Sequence, residues 1–362
     1  MGFLKTSKMN KRIIGLDVAR AIAIVGMMMV NFKIVLGNGK PVWLANWSSI
    51  IDGKFSAIFV VLAGIGIALM SKGKPTAKAQ NAVRIRLLKR AVFLFILGLL
   101  FYFIWPADIL HYYGVYMLIT AVVLYASPRL LIILSTVLIL GYMVLISTFD
   151  YTQAWNFKTF EYADFWSLNG FIRNLFFNGF HPVIPWVSFM LYGLWLGRQD
   201  LQDGYFVRKI FRLSGIMYVL IQVSSILILQ LFSGVNAAEM ELIKVLFGTA
   251  PMPPTPVYMF TGITFATFII SACILVSSRF IKHRWIQALA STGRMALTIY
   301  ILHVVIGIGI FGESLLAGEE VMSLSFSLVY ALSFSVLCIL ISTLWLKKFK
   351  FGPLEWLMRK VT

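Results

Sequence analysis

AVFLFILGLLFYFIWPADILHYYGVYMLITAVVLYASPRLLIILSTVLILGYMVLISTF, residues 91–149, carries only two charged side chains, Asp108 and Arg129. At about 20 residues per crossing of a ~30 Å hydrocarbon layer, the stretch is long enough for three spans. Its breaks are Trp105-Pro106-Ala107-Asp108 and Ser127-Pro128-Arg129, where proline stops a helix. The segment therefore reads as three apolar helices in a tight up-down-up unit.

The rest of the chain repeats this pattern. Of its 362 residues 60% are hydrophobic and 13% charged, with a mean hydropathy of +0.86. A water-soluble domain is nearer one-quarter charged, so an ordinary soluble enzyme is excluded. Apolar runs predict ten helices, at about 13–36, 50–71, 88–105, 108–126, 129–149, 180–197, 213–234, 256–277, 294–312 and 323–346. The expected fold is an all-α polytopic bundle, a single integral membrane domain over 1–362 whose first partner is the lipid bilayer. Cys273 and Cys338 both lie in apolar runs and suggest neither a disulfide nor a metal site. Gly193 and Gly197, four apart, predict a close helix contact.

The net charge of +18 does not mark a nucleic-acid binder, because no water-exposed basic module exists to carry it. The basic residues instead fill alternate links. Of the 32 lysines and arginines, 25 fall on the side shared by the two termini, four on the other and three in or at the rims of spans. That bias puts both termini in the cytoplasm. Two longer segments on the opposite side, about 150–179 and 235–255, are long enough to cap a cavity.

Ionisable groups within spans are costly and point to function. Asp17, Arg20 and Asn31 fall within about a 60° arc of the first helix. Asp17 and Arg20 are spaced for an ion pair, either one pinning the helix or one holding Arg20 ready for a phosphorylated or acidic ligand. In Asn178-Gly-Phe-His181-Pro-Val-Ile-Pro185-Trp186 a Pro-x-x-Pro pair disrupts the first helical turn, so the segment must line protein or water. His181 is expected at the outer mouth of a cavity, as a proton-transfer group or as a helix-capping histidine. His303, with Tyr300 one turn before it, should face the bundle interior near the midplane, as packing or as a proton relay. Asp108 and His111 are expected at the outer rim, and Lys54 should snorkel to the interface. No set of side chains has metal-ligand spacing, and no metal is expected.

Three segments resemble the bacterial family named after YeiB: Arg12-Ile-Ile-Gly-Leu-Asp17-Val-Ala-Arg20 leading to Asn31, the Asn178 to Trp186 element ending in Gly197-Arg198, and the tail Phe351-Gly-Pro-Leu-Glu355-Trp356. Gly293-Arg294-Met-Ala-Leu-Thr298 leading to Tyr300 and His303 fits the same family. The first helices also look like those of heparan-alpha-glucosaminide N-acetyltransferase and related transmembrane acyltransferases. The resemblance implies a multi-pass protein of the bacterial plasma membrane that moves an acyl group from cytosolic acyl-CoA to a small-molecule or glycan acceptor on the other side. His181, Asn31 and His303 would be the catalytic groups, and Asp17, Arg20, Tyr300 and Arg294 would bind substrate. One departure stands out. The acetyltransferase has a catalytic histidine in the link between its first two helices, and the matching stretch here, Val42-Trp-Leu-Ala-Asn-Trp47, has none. Either another group such as His181 serves as base, or this branch does not transfer acyl groups. The alternative is a transporter of a small lipophilic or anionic compound, since inward polar residues and a proline-broken helix also suit a substrate pathway. Assembly into an oligomer is compatible with the sequence.

Overall fold

The computed structural model describes residues 12–36, 52–157, 159–311 and 322–362. The Val42 to Trp47 stretch, in which the histidine is missing, lies outside the described residues. Among these, the chain forms fourteen helices and one two-residue hairpin. The long ones are α1 (Ile14–Leu36), α2 (Lys54–Ser71), α3 (Ala77–Tyr102), α5 (Pro128–Thr148), α8 (Gly204–Leu231), α10 (Pro256–Arg279) and α13 (Leu324–Lys348). The shorter ones are α4 (Leu110–Val122), α6 (Leu168–Arg173), α7 (Val183–Gly197), α9 (Ala237–Phe247), α11 (Arg284–Arg294), α12 (Ala296–Leu302) and α14 (Pro353–Val361).

The helix starts follow from capping chemistry. Thr76, Ser127, Asp203, Asn236 and Ser323 each accept a backbone N–H from the first turn they precede. Pro128, Pro256 and Pro353 open α5, α10 and α14, where a missing N–H costs nothing.

This is an all-α membrane protein. Six helices among the described residues are long and apolar enough to cross a bilayer, and a seventh follows if α11 and the bent run Ala296–Phe311 are one span. The expected ten each coincide with a helix, yet four fall short as continuous spans. At 1.5 Å per residue the 13 residues of α4 and 15 of α7 reach only about 20 and 22 Å. The first half of α3 carries Lys78, Arg84, Arg86, Lys89 and Arg90. The run expected over 294–312 starts at a 75° break from α11 at Met295, and its regular α-helix covers only Ala296–Leu302 before the backbone changes to other helical turns.

Helix α1 is the hub, packed against α2, α10, α11, α12 and α13. Small residues allow the closest approaches. A Cβ on Gly64 would lie 2.1 Å from the Met190 carbonyl oxygen and one on Gly193 2.1 Å from that of Val61, so α2 and α7 meet backbone to backbone, as the glycine spacing suggested. A Cβ on Gly293 would sit 1.8 Å from the Asp17 carbonyl oxygen, so glycine is what lets α11 lie against the α1 backbone. The expected up-down-up unit is half right. Helices α3 and α4 pack as a hairpin, but α5 turns away from α4 and packs on α7, since the five-residue link lets it cross rather than return. Helix α8 lies at the periphery, where Leu213, Ile216, Leu220, Val223 and Leu227 are exposed, a pattern that suits lipid and not water.

Arg12, Arg20, Arg90, Arg294 and Arg359 gather at one end of the bundle, near the start of α1 and the end of α13. A cap formed by residues 149–157 and 159–179 covers the opposite end. Its hairpin pairs Trp155 with Tyr162, and the whole segment is tied down by Asn178. The Asn178 amide donates to the Tyr151 and Gln153 carbonyls (both 3.0 Å), and its oxygens accept from Tyr162 Oη (2.7 Å) and Trp155 Nε1 (2.6 Å). Arg173 braces the cap from the side, bonded to Tyr162 Oη (2.7 Å) and Asp164 (2.5 Å). Burial raises the Tyr162 phenol above its ordinary pKa, with the Arg173 bond opposing, so it remains a donor at neutral pH.

Candidate active site

A cavity of about 360 Å3 opens at the basic end between α1, α2, α3, α4, α11, α12 and α14. Five arginines line it, Arg12, Arg20, Arg90, Arg294 and Arg359, against two acids, Asp17 and Glu355. Beyond them the wall is apolar, with Phe59, Leu62, Leu94, Leu110 and Met117. A cationic mouth over a greasy sleeve suits a ligand with an anionic head and an acyl tail.

Asp17 organises the mouth. Its carboxylate is buried and accepts from Arg20 Nη1 at 2.6 Å and Arg12 Nε at 2.7 Å, so two guanidinium groups share one acid and excess positive charge remains. The same pair borders a second cavity of about 290 Å3 with Leu16, Leu69 and Gln202. Arg294 is steadied by a bond to the Lys350 carbonyl at 3.1 Å. The tail motif explains itself here. Glu355 caps the start of α12, its Oε1 accepting from Leu297 N (2.7 Å) and Thr298 N (3.1 Å) and its Oε2 from Thr298 Oγ1 (2.6 Å). That cap sets α14 against the cavity.

One turn past the lining residues Ala296 and Leu297, a buried polar cluster begins. Tyr300 donates to Asp108 Oδ1 at 3.0 Å, and its ring lies 5.3 Å from that of His303. His303 is fully buried, as expected, and its Nε2 meets the Asn31 amide at 3.0 Å. At His303 the helix loosens into a π-turn over His303–Ile308, a distortion common where a side chain must be placed for function. Asp108 also accepts from Leu110 N at 2.7 Å, with His111 Nδ1 3.4 Å away. Asp108 and His111 are fully buried rather than at a rim, because the cap closes over them with Phe165 and Tyr102 around the imidazole.

The structure thus divides the expected residues into three groups. Asp17, Arg20 and Arg294 line the cavity. Asn31, Tyr300 and His303 form the cluster next to it. His181 stands apart, under the cap, its ring 6.0 Å from Tyr112 and 4.6 Å from Trp186, and its carbonyl held by Tyr116 Oη. One shared chamber holding all seven is not what the helices build. Sequence reasoning missed Arg90, Arg359 and Glu355 as cavity residues, although the tail motif contained the signal for the last. Lys54 does not snorkel. It is fully buried, and its Nζ donates to the Thr249 carbonyl at 3.3 Å. Among the described residues no group of three or more His, Cys, Asp or Glu is placed to hold a metal ion.

A family model described as heparan-alpha-glucosaminide N-acetyltransferase, catalytic, matches residues 12–222, and one described as a protein of unknown function (DUF418) matches residues 203–362. The chain is 26% identical over 396 aligned positions to the uncharacterized protein YeiB of Escherichia coli (strain K12), covering 97% of this chain and 96% of that one.

Proposed function

The chain belongs to the family of heparan-alpha-glucosaminide N-acetyltransferase catalytic domains, in a YeiB-like branch, and on that premise we propose that it transfers an acyl group from cytosolic acyl-CoA to an acceptor at or beyond the far face of the membrane. The observation that carries this reading is the arginine-rimmed, apolar-walled cavity. In the proposal the basic end faces the cytoplasm, the ten helical segments form the membrane domain, and the CoA phosphates dock on Arg12, Arg20, Arg90, Arg294 and Arg359. Guanidinium groups suit this task because they bind phosphate through paired N–H donors and never lose their charge.

The acyl thioester then runs along Leu94 and Leu110 towards the cluster at Tyr300. His303, neutral and held through Nε2 by Asn31, takes the proton of the acceptor hydroxyl or amine once Asn31 turns its amide to the thioester oxygen. The acceptor oxygen or nitrogen bonds to the acyl carbon, the C–S bond breaks, and CoA leaves as the thiol with that proton. Tyr300 positions the carboxylate of Asp108 beside the reacting centre. His181 serves the acceptor side of the cap. No acyl-enzyme is needed.

The test is acetyl-CoA binding by the purified protein. Arg20→Ala should weaken it at least tenfold, while His303→Gln should bind like wild type and turn over at least a hundredfold more slowly, the usual contribution of a general base. Absence of acetyl-CoA binding by the wild type overturns the reading.

A further inference from the structure

A second site lies at the opposite end of the bundle, where helices α2, α7 and α10 begin side by side. Lys54 is the first residue of α2, Trp186 lies in the first turn of α7 and Tyr258 in that of α10. All three are fully buried. The Trp186 indole ring is 5.9 Å from the Tyr258 ring and 4.6 Å from that of His181, and the Lys54 ammonium is 5.9 Å from the Tyr258 ring. The Tyr258 hydroxyl abuts Gly53, since a Cβ built there would lie 2.6 Å from it, so it faces the open N-terminus of α2.

Trp186, Tyr258 and the neighbouring His181 each leave a polar atom unpaired. Among the described residues, Trp186 Nε1, Tyr258 Oη and His181 Nδ1 have no hydrogen-bond partner, and Lys54 donates to the Thr249 carbonyl at a long 3.3 Å. An indole N–H can only donate, and an ammonium can only donate. Leaving such groups buried without an acceptor is destabilising. Helix N-termini add positive potential at the same place. The nearest acid, Asp52, is already committed to Lys33 at 2.5 and 2.7 Å, so the described charges here sum in favour of an anion.

We propose that Lys54, Tyr258, Trp186 and His181 form a binding site for an oxyanion, a phosphate or carboxylate group presented from the capped face. If the chain transfers acyl groups, this is where an acidic acceptor is held. That role rests on the acyl-transfer reading; the binding does not.

The experiment measures equilibrium binding of radiolabelled inorganic phosphate to the full chain in zwitterionic nanodiscs, without CoA. An Arg20→Ala, Arg294→Ala background takes two of the five arginines from the competing cationic cavity, and any phosphate still held there is insensitive to Tyr258→Phe. One saturable phosphate per chain is expected. Lys54→Met and Tyr258→Phe should each weaken it at least tenfold, and Lys54→Arg should retain most of it. Tyr258→Phe conserves shape, so it decides the matter should Lys54→Met fail to fold. Phosphate binding that is absent, or as tight in Tyr258→Phe as in its parent, overturns the proposal. Repeating the measurement in phosphatidylglycerol nanodiscs identifies the source of the anion. Loss of phosphate binding there marks a lipid headgroup as occupant, and unchanged binding marks a soluble anion. Because no CoA is present, failure here leaves the acyl-transfer reading standing, and the reverse also holds.

Discussion

Removing the Glu355 carboxylate should release the tail from the cavity. Three hydrogen bonds to one carboxylate are involved, two from the backbone N–H groups that open α12 and one from Thr298 Oγ1, at 2.7, 3.1 and 2.6 Å. Bonds to a charged group contribute about 1.5–3 kcal/mol each in favourable settings, against about 0.5–1.5 for neutral ones. Glu355 is only partly buried, so solvent screening reduces both figures. For Glu355→Gln, which keeps the shape and loses the charge, the tail should open more easily by about 1–2 kcal/mol, and for Glu355→Ala by about 2–4 kcal/mol. The readout is the rate of tryptic cleavage after Lys350, an exposed residue between α13 and α14. When opening is fast relative to cleavage, that rate follows the open population. It should rise roughly 5- to 30-fold in Glu355→Gln, since about 1.4 kcal/mol is a factor of ten, and further in Glu355→Ala. A cleavage rate in Glu355→Ala within twofold of wild type would refute the capping argument.

Three other outcomes follow from the packing and the charge pattern. Gly193→Leu should prevent α2 and α7 from meeting, and the variant should elute as aggregate on size exclusion where wild type is monodisperse. Tyr300→Phe strips Asp108 of a buried donor at a cost of about 1–3 kcal/mol, so the melting temperature should fall while acetyl-CoA affinity holds; an unchanged melting temperature contradicts it. Single cysteines at Lys209→Cys and Glu239→Cys should label with a membrane-impermeant maleimide from opposite sides of sealed vesicles. Labelling from the same side would rule out the proposed orientation.

Much of this was legible in the sequence, and the failures are physical. The Asp17 and Arg20 pair could be read because an i, i+3 spacing places two side chains together whatever surrounds the helix. The interior placement of His303 followed from the cost of exposing imidazole to lipid. The length of a span was harder, because apolar composition does not reveal how many residues of a run are helical: α4 ends at Val122 although apolar residues continue beyond it. The bend at Met295 has no proline to announce it, and arises where Gly293 is pressed against α1 and Glu355 caps a new start. Asp108, His111 and Lys54 looked like rim residues because each lies near the end of an apolar run. They are buried because distant chain, the cap in one case and the Thr249 region in the other, folds over them. Asn178 was visible as part of a motif, but its work as the tie of the cap depends on partners 16 to 27 residues away that no local pattern reveals.

The peripheral helix α8 packs chiefly on α10 and α9, and it begins where the two family matches overlap, at residues 203–222. It reads as a seam between two separately recognisable portions of the polypeptide, joined by the short turn at 198–203. A chain cut in that turn would leave each fragment with its own membrane-inserted helices, and the pair should find each other again through the contact of α1 with α10 and α11.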